Sequence, residues 1–88
     1  MQINAEILIK TLGLIIKEHR IETGKSVHQI SAESWLPKPT WSRIENGKHK
    51  DIKLTNLWKI AEGLEIYPED LIKELRLKLG EDFSITED

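Results

Sequence analysis

The sequence predicts an all-α fold, a compact domain of five helices. Apolar residues recur at three- and four-residue steps through most of the chain, which is the spacing of one helical face. The three prolines and three of the five glycines fall between these periodic segments, and strand-like alternation extends no further than residues 83–86. Because a chain of 88 residues buries little surface, it holds one domain at most.

The first helix is predicted to run from Asn4, its N-cap, to about Thr23. Its apolar stripe consists of Leu8, Leu12, Ile15 and Ile16. Gly24 follows the last periodic residue, and glycine adopts positive φ without strain. We therefore expect this glycine to end the helix and to turn the chain into the next one.

Two short helices follow. Ser26 and Gln29 form a capping-box pattern at the start of the second helix, residues 27–34. Pro37 and Pro39 cannot lie inside a helix, but both are tolerated in a first turn, so the third helix starts there. Asn46 and Gly47 are expected to end it, since both accept left-handed conformations. The side chains expected to face the core are Ile30, Trp41 and Ile44.

A polar loop, residues 48–53, leads to two further helices. The stripe of the fourth is Leu54, Leu57, Trp58, Ala61 and Leu64. Pro68 starts the fifth, and Gly80 ends it. The domain is thus predicted over residues 1–79, with a loose acidic tail over residues 80–88. Trp41 and Trp58 are interpreted as core residues. Trp35 is interpreted either as a buried residue that fills the core or as an exposed residue that contacts a partner.

Composition and charge limit the classes of function. The chain has no cysteine and no apolar run of membrane-spanning length, and no signal-peptide pattern, so a cytoplasmic protein without membrane contact is expected. The net charge of −2 is unevenly distributed. Residues 25–53 carry six basic and three acidic side chains, whereas residues 62–88 carry three basic and nine acidic ones. A basic middle is compatible with nucleic acid, although scattered solvating charges would give a similar count.

Catalytic and metal chemistry are not expected. His19, His28 and His49 stand far apart with no cysteine near them, which is no metal-ligand spacing. The sequence also has no Gly-rich phosphate loop and no nucleophile motif. We therefore predict a protein that is not an enzyme and that uses no cofactor and no metal.

Two short helices joined by a tight turn are a known device for reading duplex DNA. Residues 24–31 (Gly-Lys-Ser-Val-His-Gln-Ile-Ser) and 40–47 (Thr-Trp-Ser-Arg-Ile-Glu-Asn-Gly) resemble the lambda-repressor/Cro-like (XRE-type) helix-turn-helix family. The resemblance extends over about residues 12–71 and implies a transcriptional regulator that binds double-stranded DNA. Phage repressors, restriction–modification controllers and antitoxins of this family look alike, so the resemblance does not separate these roles.

The resemblance also implies which residues touch DNA. The base-reading positions fall on Lys38, Pro39, Ser42 and Arg43. The backbone-contacting positions fall on Val27, His28, Thr40, Asn46, Lys48 and Lys50. Three residues depart from the family pattern. Val27 stands where the family often has a glutamine that binds a phosphate. Pro39 stands where the family often has a polar side chain that contacts a base. Trp35 stands where glycine is common, so either the turn is reshaped or the tryptophan is strained.

The fifth helix carries more apolar residues than a small core needs, and this favours a homodimer that reads a palindromic operator with half-sites about 34 Å apart. The predicted interface is Leu71, Ile72, Leu75 and Leu79. The alternative is that this helix simply packs on the first.

A rival function also stays open: an antitoxin-like interaction module of the same fold, with a toxin-like protein partner and little or no specific DNA reading.

Overall fold

A computed structural model describes residues 3–86 of the chain. Its helices are α1 (Ile3–Thr23), α2 (Val27–Glu33), α3 (Lys38–Glu45), α4 (Leu54–Gly63) and α5 (Pro68–Leu79). The described residues form five helices and no strand, which confirms the predicted all-α fold. No helix within this range is both long and apolar enough to cross a bilayer. The outermost residues of the predicted domain and tail, 1–2 and 87–88, lie outside the described residues.

α1 starts earlier than predicted, and Asn4 is not its N-cap. Asn4 lies within the first turn, and its side-chain amide donates a 2.7 Å hydrogen bond to the carbonyl of Ser84. Phe83 lines an apolar cleft together with Leu8 of α1 and Ile72 of α5. The segment after α5, expected to be loose, thus folds back onto the domain at residues 83–84.

The turn from α2 to α3 contains a strained residue. Ser26 caps α2 as predicted, accepting a 3.1 Å hydrogen bond from the Gln29 N–H. At the other end Trp35 has φ 58°, and the Leu36 N–H donates across the turn to the Ser31 carbonyl at 3.0 Å. This is the helix ending that usually has glycine at the left-handed position. Trp35 therefore adopts the strained conformation, and the turn keeps its usual shape.

The core is formed by residues from all five helices, with α1 packed on α3 and α5. Its buried side chains include Leu12, Ile15, Ile16, Ile30, Trp41, Ile44, Leu57, Ile60, Ala61 and Leu64. The inward positions predicted for α2 and α3 are thus confirmed. α1 and α3 cross closely at Gly13, where a Cβ atom would stand 2.3 Å from the Ile44 carbonyl oxygen. Only glycine permits this approach, and it fixes α3 against α1.

The stripe predicted for α4 was wrong at two positions. Trp58 is 53% exposed, and Leu54 at the start of the helix is exposed as well. Leu57, Ile60 and Ala61 form the buried face instead. Since each residue turns the helix by about 100°, Trp58 lies to one side of that face. The apolar spacing alone did not distinguish the buried edge of the stripe from its exposed edge.

α5 packs on α1, which was the alternative left open for it. Leu71 is fully buried and Leu75 nearly so, and both belong to the core of the protomer itself. His19 and Glu74 join the two helices by a 2.7 Å contact between Nε2 and Oε2. Leu71 and Leu75 therefore cannot offer their side chains to a second subunit while this packing holds. Of the four predicted interface residues, Ile72 and Leu79 keep accessible surface.

Candidate nucleic-acid interface

α3 presents one face to the core and another to solvent. Trp41, Ile44 and Glu45 are buried, and they hold the helix on the domain. The four residues predicted to read bases lie together on its other side. They form two pairs spaced four residues apart, Lys38 with Ser42 and Pro39 with Arg43. Ser42 is half-buried, and the other three are exposed.

The two cationic side chains of this face are free to meet a ligand. Neither Lys38 nor Arg43 forms an ion pair within residues 3–86. An unpaired guanidinium can donate two parallel hydrogen bonds to guanine O6 and N7, or to a phosphate. Arg43 is therefore not a residue that merely pairs with a neighbouring carboxylate of the described chain.

A buried ionic network fixes the end of α3. The Glu45 carboxylate accepts hydrogen bonds from Arg20 Nε at 2.5 Å, from Arg20 Nη2 at 3.0 Å and from Trp41 Nε1 at 2.5 Å. Arg20 also donates to the Lys25 carbonyl at 3.0 Å. The hydrogen bond with Glu45 raises the pKa of the Arg20 guanidinium, so this group stays charged. The network ties α3 to α1 and to the start of the helix-turn-helix.

Sequence reasoning did not find this network. Arg20 and Glu45 stand 25 positions apart, and spacing gives no sign that they meet. One signal was present, since a carboxylate at position 45 falls on the same side of α3 as Trp41, four residues earlier. A charged residue on an apolar face needs a partner, and a basic residue on a packed helix is the usual one.

The six residues predicted to contact the DNA backbone fall in three places. Val27 and His28 open α2, where the Val27 side chain packs against the core and leaves its backbone N–H as the group that could reach a phosphate. Asn46, Lys48 and Lys50 lie after α3 and are exposed.

Thr40, the remaining member of the predicted backbone set, is half-buried in the first turn of α3. The Asn46 side-chain amide donates a 2.9 Å hydrogen bond to the Ser42 carbonyl. This N–H group therefore caps the C-terminal end of α3. No three His, Asp or Glu side chains in the described part of the chain converge as a metal site requires.

This arrangement is a helix-turn-helix, with α2 and α3 as its two helices and an exposed polar face on the second. The helix-turn-helix family model (HTH_3) matches residues 16–71, well over half of the chain. The chain belongs to this family of XRE-type helix-turn-helix proteins, a class of DNA-binding transcriptional regulators. No curated protein matches the sequence.

Two solved structures have the same fold. The restriction-modification controller protein C.AhdI from Aeromonas hydrophila is 27% identical, with a TM-score of 0.68 over 72% of this chain and 94% of that one. A mutant of the restriction-modification controller protein C.Esp1396I has a TM-score of 0.75 and 23% identity, over 85% of this chain and 94% of that one. At this identity the second similarity concerns the fold alone.

Proposed function

We propose that the protein binds a palindromic DNA operator as a homodimer and represses or autoregulates transcription. The observation that carries the proposal is the exposed face of α3. Lys38 and Arg43 project from it and have no carboxylate partner among residues 3–86, while the buried network on the other side of α3 fixes the helix. Such a fixed helix can place its N-terminal side chains in the major groove with little loss of entropy.

The charge distribution supports the same proposal. The block from residue 25 to residue 53 includes both helices of the helix-turn-helix, and it carries twice as many basic as acidic side chains. The acidic excess lies in the second half of the chain, mainly in residues 81–88, which carry four acidic and no basic side chains, whereas α5 has three of each. A negatively charged protein can therefore still present a positive face to DNA.

Within this function, control of a restriction–modification operon is the role we favour. The similarity to C.AhdI extends over nearly the whole length of that protein, at 27% identity. A small chain of this kind would act in the cytoplasm on its own promoter, without an enzymatic activity of its own.

The dimer contact that we propose lies at the junction of α4 and α5. Trp58 and Tyr67 line one cleft there and are 53% and 70% exposed. Exposed aromatic side chains are frequent anchors of protein interfaces, and here they stand beside Glu62, Glu65 and Glu69, which line the same cleft. A palindromic site needs two copies of α3. Ile72 and Leu79 are less suited to this role because they line the cleft that also contains Phe83.

Selection of binding sites from random duplex DNA at about 100 mM salt tests the proposal. We expect enrichment of a palindrome by the wild type, and its loss with Lys38→Ala. Lys73→Ala is the matched control, since Lys73 is an exposed lysine of α5, outside the helix-turn-helix. A wild type that enriches no sequence would contradict the proposal.

The second candidate function is a protein-interaction module. Trp35 favours it, because this residue is 84% exposed and lies in a strained conformation in the turn before α3. Exposed tryptophans are frequent anchors of protein interfaces. Salt dependence separates the two functions, since DNA binding weakens steeply between 50 and 200 mM salt. An interface centred on Trp35 would change little over that range.

A further inference from the structure

A cleft outside the helix-turn-helix lies between the N-terminal part of α1 and the loop that follows α3. It has a volume of about 540 Å³. Lys10 of α1 contributes to its wall together with Lys48, His49 and Lys50 of the loop. Glu6 also lines the cleft, so its lining includes three lysines and one glutamate, and its net charge is positive. Such a cleft attracts an anion.

The position of Lys10 is set by tight packing on the loop. Gly47 has φ 67°, and a Cβ atom there would lie 2.6 Å from Lys10 Cγ and 3.2 Å from Lys10 Cα. The aliphatic part of Lys10 therefore rests directly on the loop backbone, and a residue larger than glycine would push it away. This contact keeps the lysine beside the segment that bears Lys48 and Lys50.

We propose that Lys10, Lys48 and Lys50 form one phosphate-binding cleft, and that Lys10 is a further contact to the DNA backbone. The proposal rests on the DNA-binding function proposed above. Lys10 lies before residue 16, where the match to the family model begins, so this contact would extend the interface beyond the shared helix-turn-helix. The ligand is a phosphodiester of the duplex, which lysine binds as a point charge without reading sequence.

Salt titration of duplex binding tests this contact in the full chain. Lys10→Gln is compared with Lys17→Gln, which makes the same change on the same helix outside the cleft. Each phosphate contact contributes about 0.9 to the slope of log K against log salt. We therefore expect Lys10→Gln to lower the slope by about one per bound protomer. The affinity at 0.1 M salt should fall about eightfold per protomer, equally for operator and random duplex.

Lys10→Arg should keep the wild-type slope, because the charge remains. Lys17→Gln should leave slope and affinity unchanged. If Lys10→Gln binds like Lys17→Gln, the phosphate-binding role of Lys10 is overturned, while the proposed function stands as long as Lys38→Ala weakens operator binding. A loss confined to the operator would also overturn it, since a phosphate contact acts on every sequence. If the wild type binds no duplex at all, both proposals fall.

Discussion

Arg20 of α1 donates two hydrogen bonds to the carboxylate of Glu45 of α3, at 2.5 and 3.0 Å. The Glu45 side chain is 5% exposed and that of Arg20 is 14% exposed. A carboxylate buried to this degree depends on its donors, because water cannot replace them. The pair therefore fixes the end of α3 on its buried side, away from the exposed face that bears Lys38 and Arg43.

Arg20→Met should destabilise the fold strongly, since it leaves the buried Glu45 carboxylate with one donor, Trp41. We expect the free energy of unfolding to fall by about 3 kcal/mol. Urea denaturation of the variant measures this, with Arg76→Met on the exposed side of α5 as the matched control. A loss no larger than that of the control would show that the pair does not hold α3.

Ser34→Ala should stabilise the protein. Within residues 3–86 the buried Ser34 hydroxyl has no hydrogen-bond partner, and it abuts Gly63, where a Cβ atom would stand 1.8 Å away. Removing an unsatisfied buried hydroxyl should raise the free energy of unfolding by about 1 kcal/mol. Ser26→Ala is the contrasting control, because it removes the N-cap of α2 and should lower stability by about 1 kcal/mol. A decrease for Ser34→Ala in urea denaturation would contradict this account.

Trp35→Gly should relieve the strain at the end of α2. Trp35 is exposed at φ 58°, so its removal costs little packing, and glycine adopts this conformation freely. We expect Trp35→Gly to be more stable than Trp35→Ala by about 1 kcal/mol, since alanine keeps the Cβ atom that causes the strain. Thermal denaturation of the two variants side by side measures the difference. Equal stability would mean that the left-handed turn is not strained.

Trp58→Glu should dissociate the proposed dimer while the fold stays intact. The side chain is half exposed on α4, so a charge there is tolerated in the monomer. In the dimer it would replace an aromatic contact by a carboxylate, in a cleft that Glu62, Glu65 and Glu69 already line. Light scattering at tens of micromolar protein should show a dimer for the wild type and a monomer for this variant. Ile72→Glu on α5 is the comparison, and it should stay dimeric. The reverse pattern would move the contact to the α5 face.

The sequence predicted the helices well because local signals define their ends. Gly24 and Gly47 stop α1 and α3 at positive φ, and Ser26 caps α2, as their residue types indicate. It also predicted that Trp41 faces the core. Helix ends and the inward face of a helix depend on residues only a few positions apart. The residue types and their spacing in the sequence therefore predict them directly.

The remaining features depend on how helices meet. Trp58 and Leu75 occupy similar stripes on their helices, yet one is exposed and the other buried, since only the second faces α1. The contact of Lys10 with Gly47 and the pair of Arg20 with Glu45 join distant parts of the chain. One sequence without tertiary information cannot predict such pairs, because many alternative partners have the same chemistry.

The most direct test of the central claim is a binding titration of the selected operator with wild type and Arg43→Ala at one fixed salt concentration. Arg76→Ala, which removes an exposed arginine from α5, is the matched control. If Arg43 reads a base, its loss should cost about 1–3 kcal/mol on the operator and much less on random duplex, so that specificity declines. An Arg43→Ala protein that binds the operator as tightly as Arg76→Ala would contradict the proposal that this face of α3 reads DNA.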